Sequence, residues 1–133
     1  MTVESLAQWT PIRIHWEQGY PMLDWAYLGE QRFVEPFFDE TVERLLRRPF
    51  GLLFRHQTPI AALGELAALT PGLPPTGFIF HMSRCGSTLV AQMLAALPQN
   101  IVIAEAGPVD AILRAHWRDP SVSDEQRIAW LRG

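Results

Sequence analysis

The sequence predicts an α/β protein. Residues 77–133 should form a parallel sheet with flanking helices, incomplete within this length, preceded by a mainly helical, aromatic-rich region over residues 1–76. Three observations lead there. Residues 77–133 read as strand, loop, helix, strand, helix, and that alternation gives parallel strands joined by a right-handed crossover. The Pro/Gly-rich stretch TPGLPPTG, residues 70–77, separates two textures and is the best internal boundary. Of the aromatic residues (five Trp, two Tyr, seven Phe), ten lie within the first 54 positions.

The elements follow in order. Residues 11–16, PIRIHW, alternate Ile12, Ile14 and Trp16 with Arg13 and His15, the signature of a short strand. Residues 35–48, EPFFDETVERLLRR, read as a helix. Pro36 suits the first helical position, acids crowd the start, Arg44, Arg47 and Arg48 crowd the end, and Pro49 stops it. Residues 58–69 predict a second helix with Thr58 as N-cap and Pro59 at the first position, weakened by Gly64. After the linker, residues 78–82 are a short buried-type strand. Leu89, Val90, Met93, Leu94 and Leu97 then mark one helical face. Residues 100–104, NIVIA, are a second buried-type strand, closed by Glu105. Gly107 and Pro108 open a helix to about residue 117, and Ser123 with Gln126 forms a possible capping box for the last one. The N-terminal aromatics suit either the core of a small subdomain or the lining of an apolar acceptor pocket.

Composition excludes several classes. The net charge of −3 argues against a general nucleic-acid binder. The single cysteine, Cys85, leaves no intrachain disulfide and no Cys-rich zinc site. The N-terminus shows no signal peptide, and no apolar run approaches the roughly 18–20 residues that span a membrane, so a cytoplasmic protein without membrane partners is expected. All eleven basic residues are arginine, so a cationic phosphate or sulfate contact must come from Arg or His.

The chemistry concentrates in SRCGST, residues 83–88, between the predicted strand and helix. A glycine and hydroxyls at a helix N-terminus make an anion site, because first-turn N–H groups are unpaired and carry partial positive charge. Gly86 permits close backbone approach, Ser83, Ser87 and Thr88 offer hydroxyls, and Arg84 offers a fixed charge with a fork of donors. The Walker A pattern fails: its first glycine would fall at His81 and its lysine at Ser87. A cysteine phosphatase would need Arg where Ala91 stands, and no nucleophile elbow is present.

SRCGST resembles the 5′-phosphosulfate-binding loop of sulfotransferases, and the longer FIFHMSRCGSTLVAQML is similar to bacterial sulfotransferase-family proteins. NIVIAEAGPVDAIL also resembles the segment that follows the loop in that family, so the likeness covers residues 77 to about 114. The resemblance implies a P-loop-type fold and a sulfuryl transfer from PAPS (3′-phosphoadenosine 5′-phosphosulfate) to a hydroxyl or amine of a small-molecule or carbohydrate acceptor, without a metal. Ser83, Arg84, Cys85, Gly86, Ser87 and Thr88 would bind the cofactor. Arg84 would stabilise charge on the bridging oxygen, and Glu105, at the carboxyl edge of the second strand, would act as general base. Simpler readings stay open: Cys85 as a small packed residue, His81 as a structural hydrogen-bonder and Glu105 as a cap or a solvent-facing acid.

The family also uses a 3′-phosphate site of Arg and Ser. WRDPSVS, residues 117–123, is similar to part of it but follows a predicted helix, which assigns it to a loop. Two strands would be small for a parallel sheet, so the chain is expected to be part of a longer enzyme or a degenerate relative. Alternative functions are a P-loop small-molecule kinase and a non-catalytic nucleotide- or partner-binding module.

Overall fold

The computed structural model describes residues 3–133. Its fold starts with a hairpin. Strands β1 (Trp9–Glu17) and β2 (Tyr20–Tyr27) pair antiparallel through the two-residue turn Gln18-Gly19. Both turn residues have positive φ, 51° and 86°, the hand that matches the right-handed twist of the flanking strands. The register shifts between Pro11 and Arg13, next to the one residue type that cannot donate to a ladder. Strand β3 (His56–Pro59) adds to the free edge of β2, giving the order β1-β2-β3.

This sheet corrects two expectations. The N-terminal region is mixed, not mainly helical. Strand β2 hides from an alternation test because Leu23, Asp24, Trp25 and Ala26 are all buried, so both of its faces are covered. Thr58 and Pro59 do not cap a helix; they lie in β3. Thr58 pairs with Leu23 and accepts a 2.8 Å hydrogen bond from the Trp25 indole N–H, which satisfies the one polar atom of a buried ring.

The helices are α1 (Phe38–Leu46), α2 (Pro49–Leu53), α3 (Ala62–Leu69), α4 (Ser87–Ala95), α5 (Gly107–Leu113), α6 (Ala115–Arg118) and α7 (Asp124–Arg132). Pro36 lies just outside α1, while Pro49 both follows α1 and opens α2. The chain passes from α1 into α2 so tightly that a Cβ on Gly51 would lie 2.3 Å from the Leu45 carbonyl oxygen. At the other end of the chain, the capping box of α7 is complete. Ser123 Oγ accepts from Gln126 N at 3.2 Å, and Gln126 Oε1 accepts from Ser123 N at 2.8 Å.

The core joins Leu6, Ile14, Leu23, Trp25, Ile60, Leu63 and Ile112, so residues from both sides of the 70–77 linker share it. Four of the ten N-terminal aromatics pack in one cluster: Trp9 lies edge-on to Tyr27 at 5.7 Å, Tyr27 is 4.9 Å from Phe50, and Phe50 sits 4.7 Å from Phe54. No helix among the described residues is long and apolar enough to cross a membrane.

The α/β class holds, but the P-loop-type parallel sheet is not formed among the described residues: their one sheet is antiparallel. Segments 78–82 and 100–104 belong to no ladder. Phe78, Phe80 and Met82 are 75%, 92% and 80% exposed. The cause lies in what a strand requires. A short apolar run becomes a strand only when a neighbouring backbone offers a ladder, and parallel pairs further need helices on both faces. Here the Ala104 carbonyl accepts from Phe38 N at 2.9 Å, so segment 100–104 is tied to the start of α1.

Candidate anion-binding site

The loop and the helix after it form as the sequence implies. Residues 83–86 make a turn, and α4 begins at Ser87. Gly86 is the N-cap, at φ 88° and ψ 11°, and a Cβ there would meet nothing within 4 Å. Arg84 also adopts a left-handed φ, 58°, uncommon for a residue with a side chain. Left-handed residues on either side of Cys85 curl the backbone over the helix start, the kind of turn that forms an anion nest. The Gly86 carbonyl accepts from Leu89 N at 3.0 Å and Val90 N at 3.3 Å. No side chain caps the helix, so the earliest amides of α4 have neither an intrahelical acceptor nor a side-chain one.

Exposure suits a ligand. Ser83, Arg84, Cys85, Gly86 and Thr88 are exposed and Ser87 is half-buried. Among the described residues Arg84 has no ion-pair partner. Glu105 is also left-handed, at φ 53°, and its Oε1 lies 3.6 Å from His81 Nε2. The ends of segments 78–82 and 100–104 are therefore brought together, by His81 before the loop and Glu105 before α5. Glu105 pairs with His81 and makes no ion pair with Arg84.

The far end of α4 is fixed by residues that the sequence did not single out. Arg32 donates through Nη2 to the carbonyls of Ala95, Leu97 and Asn100 at 3.4, 3.2 and 3.2 Å. A cation there also complements the negative end of the helix dipole. Gln92 Nε2 donates to the Val34 carbonyl at 3.1 Å, and Asn100 Nδ2 to that of Leu94 at 3.0 Å. Arg32 and Ala95 lie 63 residues apart, and no local pattern announces such a contact. In the 117–123 stretch, Trp117 and Arg118 close α6. Asp119 then accepts from Ser121 Oγ and N at 2.6 and 2.9 Å, and these bonds lower its carboxyl pKa.

Comparison with protein-family models, with curated proteins and with solved structures finds no match for the chain.

Proposed function

We propose that residues 83–88 and the first turn of α4 bind the 5′-phosphosulfate end of PAPS, and that the protein acts as a sulfotransferase, or as part of one, on an acceptor hydroxyl or amine. The observation that carries this reading is the start of α4: an uncapped helix opening from a left-handed Gly86, two positions after an exposed arginine that has no ion-pair partner among the described residues. Uncapped amides and the dipole favour an anion. The space around Gly86 leaves room for one, and the hydroxyls of Ser87 and Thr88 lie in the same turn. The donor set fits a phosphosulfate.

PAPS supplies the sulfuryl group when bound. The first amides of α4 and the hydroxyls of Ser87 and Thr88 would hold its phosphate. Arg84 would hold its guanidinium against the negative charge on the leaving side as the sulfuryl group passes to the acceptor and PAP departs. Glu105 accepts the acceptor's proton on a carboxylate oxygen, with His81 restraining the other side of the carboxyl group.

The test is calorimetry with PAP, PAPS, ATP and GTP, each with and without Mg2+. Binding of PAP and PAPS alone supports the reading. Mg2+-dependent ATP binding would move it to a small-molecule kinase, and absence of all binding would leave a non-catalytic module.

A further inference from the structure

We propose a second ligand site, independent of the loop: a cleft of about 700 Å3 between the sheet and helices α1 and α5 that takes a small zwitterion with an apolar side chain. Its volume falls within the roughly 300–1,000 Å3 typical of small-molecule sites. The aliphatic side chains Ile12, Ile14, Val42 and Leu46 line part of it.

Its charges decide the ligand class. Arg13 is neutralised by Asp24, with Nη2 2.5 Å from Oδ2, and Asp24 also accepts from Gln57 Nε2 at 2.8 Å. Glu43 is held by Arg47 at 3.0 Å. Two charged lining groups are left over, Asp39 in the first turn of α1 and Arg55 just before β3. Among the described residues neither has an ion-pair partner. Asp39 stands where α1 meets the start of α5, since a Cβ on Gly107 would lie 3.8 Å from its Oδ1.

One uncommitted anion, one uncommitted cation and an aliphatic wall complement an α-amino acid. The ammonium goes to Asp39 and the carboxylate to the fork of Arg55, while the apolar side chain covers the wall. A purely anionic ligand would meet Asp39, a purely cationic one would meet Arg55, and a neutral sugar would leave both charges without counter-charge. Both side chains are exposed, so solvent screens them and affinity should be modest, on the order of 1 mM.

The probe is L-leucine, titrated into the 15N-labelled full chain and followed by NMR. Saturable shifts should appear at lining residues, including the Trp25 indole. N-acetyl-leucine, which lacks the ammonium, and leucinamide, which lacks the carboxylate, should each bind about threefold more weakly, the loss of one solvent-screened charge contact. Asp39→Asn and Arg55→Gln should each weaken leucine similarly, and Arg84→Ala should leave it unchanged. The ligand analogues act on the unaltered protein, so the test does not depend on the variants folding. No saturation by roughly 20 mM, far above the expected constant, would overturn the proposal. So would equal binding of N-acetyl-leucine, or shifts confined to residues away from the cleft.

Discussion

His81 Nε2 lies 3.6 Å from Glu105 Oε1, and this contact joins two segments 24 positions apart that share no ladder. His81 lies two positions before the loop of residues 83–86, and Glu105 two positions before the start of α5. Glu105 holds a left-handed backbone, which for a residue with a side chain costs on the order of 1 kcal/mol. Strain of that kind persists where surrounding contacts over-determine it. On the proposed function, Glu105→Gln should abolish sulfuryl transfer while leaving PAP affinity within about twofold, because an amide keeps the shape but accepts no proton. Equal losses in PAP binding and in turnover would make Glu105 a binding residue instead.

Arg84→Ala should weaken PAP binding by roughly 1.5–3 kcal/mol, the worth of a hydrogen bond to a charged group. Arg84→Lys should recover much of that loss. Calorimetry on the three proteins decides it, and an unchanged Arg84→Ala affinity removes Arg84 from the site.

Arg32→Ala should destabilise the protein by about 1–3 kcal/mol, since one guanidinium nitrogen serves three carbonyls at the end of α4. Hydrogen exchange should rise first in α4 and in residues 96–100. A uniform rise across the chain would mean that Arg32 does not act through that helix.

Two glycines should respond in opposite directions. Gly51→Ala places a methyl 2.3 Å from the Leu45 carbonyl oxygen, a backbone atom that cannot step aside, so a loss of several kcal/mol is expected, at about 2 or more. Gly64 lies inside α3 with nothing within 4 Å of a Cβ, so Gly64→Ala should stabilise by about 0.5–1 kcal/mol. Urea denaturation of both variants reads the two signs, and stabilisation by Gly51→Ala would refute the close approach of α1 and α2.

Glu35 gives the protein a pH dependence. Partial burial pushes its carboxyl pKa up. The hydroxyl of Thr41 at 2.5 Å, a backbone hydrogen bond and Arg44, with Nε 2.6 Å away, outweigh that and hold it below its ordinary 4.5. A depressed folded-state pKa means that the contribution is present above 4.5 and lost as pH falls through the lower folded value. Glu35→Gln should therefore be less stable than the parent at pH 7, and the gap should close on acidification below 4.5. A gap constant with pH would show that the Glu35 charge is not what stabilises the segment.

Local chemistry determined much of what the sequence disclosed. The start of α4 at Ser87 follows from Gly86 and the change to helical spacing, and the cap of α7 from Ser123 and Gln126. Strand β1 follows from its alternating side chains, and the members of the candidate loop are contiguous. Each of these signals is complete within a few residues, because caps and turns are closed by near neighbours. The Gln18-Gly19 turn was also legible, and reading it would have found β2. Only the tertiary structure decided the rest. Whether residues 56–59 extend a helix or a sheet depends on the free edge of β2 and on the Trp25 indole that needs Thr58. Whether 78–82 and 100–104 become strands depends on a partner backbone, and the described residues supply none. Arg32 reaches the end of α4 across more than 60 positions. Ladders and charge contacts of this range are fixed by which surfaces meet, a property of the whole chain that no local window contains.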